Sequence, residues 1–209
     1  MKKIMFNDKY SLTQAVLEGR KTMTRRIIKC PRTFRGEWVA GFNIHRRHSD
    51  KKIVDWPCMY DADEREFDMG EILPKYKVGE VVAIAQSYSD CGNMPDYELD
   101  EDGYPIMPKR SGFFNKMFVR ANLMPHHIRI TDIKIERLQN ISDEDCFKEG
   151  IFKWDAGQKD IPFYSFHYAD IPDYSNPCDA FAELIDKVSG KGTWESNPYV
   201  FVYEFELID

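Results

Sequence analysis

The end of the chain carries its clearest hydrophobic pattern. Tyr199, Phe201, Tyr203, Phe205 and Leu207 fall on one phase and Glu204 and Glu206 on the other, the two-residue period of a β-strand. Ile128 and Ile130 alternate in one phase, Ile133 and Ile135 in the opposite one. A slip of that kind at Thr131-Asp132 predicts a β-bulge, the usual device for bending a strand around a barrel. Lys3 to Phe6 reads as a short strand. Val81 to Ala85 reads as a buried one, entered through the turn Tyr76 to Glu80. Helical spacing occurs in three places. Asn7 or Asp8 can cap a helix with Leu12, Ala15 and Val16 on one face, ended by Gly19. Ser142 precedes Asp143, Glu144 and Asp145, a good N-cap with acids in the first turn, and Gly150 fits the C-terminal end. Asn176-Pro177 opens a third helix, with Phe181, Leu184, Ile185 and Val188 on one face and Gly190 at its end. Between Gly19 and the next irregular stretch, Thr22 to Ile28 is predicted to be extended.

Two stretches lack this regularity, at about 30–75 and 87–117. In the first, Trp38 to Ile44 and Ile53 to Tyr60 could pair as strands, and Asp61 to Glu71 holds six acidic residues and one Arg. In the second, Ser87 to Pro108 contains six acidic residues, no Lys or Arg, and the prolines Pro95 and Pro105. Both read as insertions into a smaller core. Several short strands with few short helices predict an α+β chain: a mixed β-barrel with short covering helices, in one domain over 1–209.

Composition narrows the function. At 43% hydrophobic and 14% aromatic the chain is not disordered, and a net charge of -6 argues against a general nucleic-acid coat. The charge is nevertheless uneven. From Gly19 to Gly36 there are seven Lys or Arg and no acid; the other 22 basic residues face all 35 acidic ones, a balance of -13. A short cationic surface on an anionic protein suits a phosphate-bearing ligand, although charge runs also serve as solvated faces or guarded strand edges. The five cysteines are scattered, with no Cys-x-x-Cys, and the histidines lack metal-ligand spacing, so neither a metal site nor a cofactor is expected. No apolar run near Met1 is long enough for a signal peptide or a membrane span, so the chain reads as cytoplasmic, with no membrane partner.

Four blocks in this order resemble the ASCH-domain family, a branch of the PUA-like fold, in the larger form found in phages and prophage-bearing bacteria. The first is Leu17-Glu18-Gly19-Arg20-Lys21-Thr22-Met23-Thr24-Arg25-Arg26. The second is Tyr76 to Glu80 with the strand after it. The third runs from Arg129 to Asp145 and on to Glu149-Gly150-Ile151, and the last from Trp194 through Asn197-Pro198-Tyr199 to Phe205. The resemblance implies a PUA-like barrel that binds RNA or a nucleotide or nucleoside. A small bacterial member of the family removes the acetyl group from N4-acetylcytidine, using a Lys, a Thr three residues later and a downstream Glu; these align with Lys21, Thr24 and Glu149. Where relatives of this size often have an Arg-Glu pair after the second strand, this chain has Ala85-Gln86, so any role of that pair is missing.

The chemistry is feasible. Threonine becomes a nucleophile only when a base takes its proton, and lysine is a base only when neutral. Burial and the neighbouring Arg20, Arg25 and Arg26 would lower the Lys21 pKa. Glu149, at the negative end of a helix, would suit proton exchange. Each residue also has a plain reading: Lys21 as an exposed turn residue, Thr24 as a strand former, Glu149 as a solvated helix end. On a continuous strand Lys21 and Thr24 would point to opposite faces, so catalysis requires a turn at Gly19 to Lys21. Three functions follow. The first is RNA, nucleotide or nucleoside binding in a cationic cleft, with Arg20, Arg25, Arg26 and Lys29 on phosphates and Trp38, Phe42 or Trp56 available for base stacking. The second is amide hydrolysis by Lys21, Thr24 and Glu149. The third is a phage accessory role in which the acidic insertions contact a protein partner.

Overall fold

The computed structural model describes residues 1–93, 99–104, 111–154, 163–166 and 174–209; the predicted roles of Pro95, Pro105 and Pro108 lie outside them. Five strands far apart in sequence build one mixed sheet: β1 (Lys2–Ile4), β2 (Met23–Ile27), β3 (Val81–Ile84), β4 (His127–Arg137) and β5 (Tyr199–Leu207). Their spatial order is β1-β3-β4-β5-β2. The β1–β3 pair is parallel and the other three are antiparallel. The chain is therefore α+β. All four predicted sheet strands take part, joined by the extended segment after Gly19.

The bulge sits where the phase slip puts it. Glu204 pairs with Asp132 and Phe205 with Ile130, leaving Thr131 as the extra residue. This single insertion returns Ile133 and Ile135 to the same face as Ile128 and Ile130, opposite Tyr203, Phe201, Leu207 and Phe205 respectively. β5 is central and covered on both sides. Val200 and Val202 are as buried as Phe201 and Tyr203, so its charged phase begins only at Glu204.

The expected barrel does not close. The sheet ends at β1 and β2, and no ladder joins these two edges among the described residues. What spans the gap is a side chain: Arg26 Nη2 donates to the Met5 carbonyl at 2.7 Å. A guanidinium reaching across holds the edges at side-chain rather than backbone distance, leaving an open seam.

Three helices cover one face: α1 (Leu12–Leu17), α2 (Asp143–Lys148) and α3 (Pro177–Ser189). The side chains of Ser142 and Asn176 accept from the Asp145 and Asp179 amides, as the cap patterns require. Ahead of α1, Asn7 caps a short 3-10 turn, Asp8–Tyr10, rather than the α-helix itself. Phe181, Leu184 and Ile185 of α3 are buried, but Val188 is 38% exposed.

The first insertion is a two-stranded hairpin (Thr33–Phe34 with Glu37–Trp38) followed by a three-stranded antiparallel sheet (Gly41–Asn43, Cys58–Tyr60 and Glu66–Glu71). The predicted Trp38–Ile44 strand is thus split between two sheets, and the acidic segment supplies a strand of its own. All five cysteines are free thiols, with Cys146 and Cys178 facing each other at 3.7 Å. Among the described residues, no helix is long and apolar enough to cross a membrane.

Gly150 ends α2 with φ +105°, a left-handed value that penalises any Cβ, although the space around it holds only ordinary contacts with Leu12, Lys21 and Ala15. Gly150→Ala should therefore lower the unfolding free energy by about 1–2 kcal/mol through backbone strain alone. A denaturant midpoint unchanged from wild type would contradict this.

Candidate functional site

Lys21 lies in the turn between α1 and β2, not on the strand. Its own N–H donates to Ala15 O, and the next amide, Thr22 N–H, donates to Lys148 O, both at 2.9 Å. This turn swings the Lys21 side chain toward the C-terminal end of α2. There its ammonium donates to the Glu149 carboxylate at 2.6 Å and to the Glu149 backbone carbonyl at 2.7 Å. Carbonyls at a helix end lack partners within the helix, so residues 21 and 22 act as a cap supplied from another part of the chain. The turn that a shared Lys21–Thr24 site requires is thus present.

Glu149 is held twice. Its second carboxylate oxygen accepts from Arg25 Nη1 at 3.2 Å. Arg25 also reaches Glu136 on β4 at 2.6 Å and Asp145 on α2 at 2.9 Å, and Lys134 approaches Asp145 at 3.4 Å. Lys21, Arg25 and Glu149 are all at least 95% buried. Burial pushes the Lys21 ammonium below its ordinary value. Glu149 opposes the shift without cancelling it, and the charges of Arg26 and Arg25 add to it. Burial also works against the charge on Arg25, but Glu149 and Glu136 more than offset that and hold it firmly protonated. Asp145 is likewise opposed by burial, yet Arg25 and Lys134 keep its carboxyl below the usual range.

Thr24 sits on β2 opposite Tyr203, and Arg25 opposite Val202, so the two point to opposite faces of the sheet. Because β2 is an edge strand, a cavity along its free edge receives both. This cavity, of about 440 Å3, is lined by Lys21, Thr24, Arg25, Arg26, Lys29 and Glu149, with an apolar wall from Phe6 and from Phe181, Leu184, Ile185 and Val188 of α3. Its place in that wall accounts for the exposure of Val188. Thr24 is 5% exposed, and none of the described residues hydrogen-bonds its hydroxyl.

The sequence-derived residues therefore fall into three groups. Lys21, Thr24 and Glu149 meet in one cavity, all buried, which removes the plain readings of exposed turn and solvated helix end. Arg26 and Lys29 line the same cavity. Arg25 and Arg20 do not serve as expected. Arg25, assigned to phosphate, is committed to three carboxylates and cannot leave them without exposing buried negative charge. Arg20 pairs with Glu18 at 2.6 Å, faces the Phe152 ring and does not line the cavity. Two proposed stacking residues are packed against β5, Phe42 on Tyr199 and Trp56 on Phe201, while Trp38 is exposed and away from the cavity. Sequence reasoning missed Glu136 and the pairing role of Asp145, which is seen in the sequence only as a cap acid. At the Ala85-Gln86 position there is no ion pair: Ala85 is fully buried, and Gln86 Oε1 is buried without a partner among the described residues. Among the described residues, no group of three His, Cys, Asp or Glu side chains is arranged to hold a metal ion.

Comparison of the chain with protein-family models, with curated proteins and with solved structures finds no match.

Two outcomes follow from the buried network. Arg25→Met leaves Glu136, Asp145 and Glu149 short of a cation and should destabilise the protein by about 3–5 kcal/mol, as for other broken buried ion networks; a loss below about 1 kcal/mol in denaturant unfolding would mean the network is dispensable. The second outcome concerns pH. Because the folded Lys21 pKa lies below the unfolded value of 10.5, the unfolded chain binds more protons between the two, so stability should rise with pH across that window. Comparing wild type with Lys21→Met as pH approaches 10.5 isolates this contribution; the rise should be absent from the variant, and equal slopes would show that Lys21 titrates normally.

Proposed function

We propose that this chain is a PUA-like domain of the ASCH type whose edge cavity binds a nucleoside or nucleotide, free or within RNA. The observation that carries the reading is the meeting of Lys21, Thr24 and Glu149 in one cavity along the open seam, at the positions where the family resemblance sets its acting residues. The cavity lies within the size range of small-ligand sites, roughly 300–1,000 Å3. It pairs an apolar wall, suited to a base or an acyl group, with a few buried polar groups that fix orientation. Arg26 and Lys29 supply positive charge that no carboxylate among the described residues pairs.

A second reading, hydrolysis of an N-acyl amide on the bound base, is favoured by a Thr24 hydroxyl that has no hydrogen-bond partner among the described residues and lines the same cavity as a lysine whose pKa is lowered. Loss of the Lys21 ammonium proton to solvent, eased by burial, leaves a neutral amine held at 2.6 Å by the Glu149 carboxylate. That amine takes the Thr24 proton as the hydroxyl oxygen attacks the acyl carbon. The tetrahedral intermediate collapses by breaking the C–N bond, with Lys21 returning the proton to the leaving amine. Water then cleaves the acyl-threonine ester, releasing the carboxylic acid and restoring the hydroxyl. Among the described residues, the acidic insertions offer no comparable constellation for a protein partner.

The test is acetate release from N4-acetylcytidine and related acylated nucleosides, run beside equilibrium binding of the same compounds. If the site is catalytic, Thr24→Ala and Lys21→Ala should each lower kcat/KM by at least about 100-fold. The double variant should be little worse than either single one, because residues acting as a unit are not additive. Binding without turnover would leave a recognition module; neither binding nor turnover would overturn the proposal.

A further inference from the structure

A second cavity, of about 400 Å3, lies across the Arg26–Met5 bridge from the first. Among the described residues its charged lining is Lys3, Arg26, Lys29 and Lys75, with no acidic side chain. The first cavity, in contrast, contains a carboxylate paired to two of its cations. The two spaces share Met5, Arg26, Ile27 and Lys29, so they are adjoining compartments of one groove along the seam between β1 and β2. In a protein of net charge -6, a pocket whose described lining has four cations and no acid is a local reversal of sign.

From these observations we infer that the second cavity is a phosphate subsite for a ligand whose base occupies the first. The inference rests on the proposed nucleoside reading and extends it: the ligand class is a nucleotide, bearing at least one phosphoester, rather than a free nucleoside. Tyr203 and Tyr76 form the floor. The Tyr203 hydroxyl accepts from the Lys75 amide at 3.0 Å and the Tyr76 hydroxyl donates to the Lys3 carbonyl at 2.9 Å, so both phenols are held in place by the backbone and their rings serve as walls. The Lys75 ammonium lies 5.2 Å from the Tyr76 ring centroid, stabilised by the ring face but without a carboxylate partner, and Lys29 likewise has none among the described residues. Lys3 is partly engaged, donating to the Met117 and Val119 carbonyls. Burial, with Lys75 nearby, pushes its pKa down, consistent with cations crowded together without a counter-ion. A phosphate entering here would meet lysine ammoniums as point charges and one arginine edge already fixed by its bond to Met5. Arg26 would then touch both parts of the ligand from the boundary.

The phosphate could belong to a free nucleotide or to an RNA strand, and binding measurements separate the two. Wild type and Lys75→Gln, a change outside the first cavity, are titrated with cytidine, cytidine 5′-monophosphate, a cytidine-containing trinucleotide and inorganic phosphate. The expected result is that the monophosphate binds at least about 10-fold tighter than the nucleoside, with the gain shrinking as salt rises. Lys75→Gln should remove most of that gain and leave cytidine affinity unchanged. Further tightening by the trinucleotide identifies a strand as the source; a gain already complete with the monophosphate identifies a free nucleotide. Equal affinity for cytidine and its monophosphate overturns the phosphate subsite while leaving the nucleoside reading intact, as does a Lys75→Gln variant that keeps the full gain. Saturable, Lys75-dependent binding of inorganic phosphate with no binding of cytidine or its phosphate leaves the subsite standing and overturns the nucleoside reading. Binding of none of the four overturns both.

Discussion

The contact between Lys21 and Glu149 organises this molecule. α2 is six residues long, too short to persist by itself, and its last carbonyls would otherwise end in the protein interior. A side chain and an amide from the turn before β2 satisfy them, across a separation of 128 positions for the Lys21 bond. The same contact docks α2 against the edge of the sheet and brings the α2 carboxylates within reach of Arg25, and so fixes one wall of the cavity. Burying two charges is costly, and well-packed apolar residues often do as well for stability alone. In the proposed reading, the buried Lys–Glu pair and the Thr24 hydroxyl that lines the same cavity form a device that a ligand uses.

Much of the fold is legible in the sequence because it rests on local rules. The Tyr199–Leu207 alternation, the Thr131 slip and the Ser142, Asn176 and Gly150 signals all report on backbone geometry within a few residues, and each has its counterpart in the structure. Pairings between distant charges are not legible. Nothing in the neighbourhood of Glu136 distinguishes it from a solvent-facing strand residue, and its bond to Arg25 spans 111 positions. Closure of the sheet was also beyond sequence reading. A bulge shows that a strand bends, but whether the edge strands then meet depends on what lies between them.

Charge counting shows a related limit. Seven cations without an acid suggest an exposed positive surface, yet the run is divided by burial. Lys21 and Arg25 turn inward onto carboxylates from α2 and β4, and Arg20 turns to Glu18 in its own turn. Of the run, Arg26 and Lys29 remain on the groove without a carboxylate partner among the described residues, Arg26 at the free edge of β2 and Lys29 just beyond its end. Lys3 and Lys75, far from the run in sequence, complete the positive region. The field that a ligand meets is therefore assembled by topology, from β1, β2 and the turn before β3, and the cationic run is only part of it.

An unpaired sheet edge invites aggregation unless something covers or charges it. Here the seam between β1 and β2 is protected by exactly the groups a nucleotide site would require: a guanidinium bridging the edges, lysines on one side, and a cavity roofed by α3 on the other. Had the barrel closed through a β1–β2 ladder, Met5 O would be paired to a backbone amide and Arg26 released, and neither cavity would exist in its present form. In the proposed reading, the open seam is what links fold to function. The sheet gives up one ladder, and the space left behind is lined by the residues from both strand faces that a regular closed barrel would keep apart.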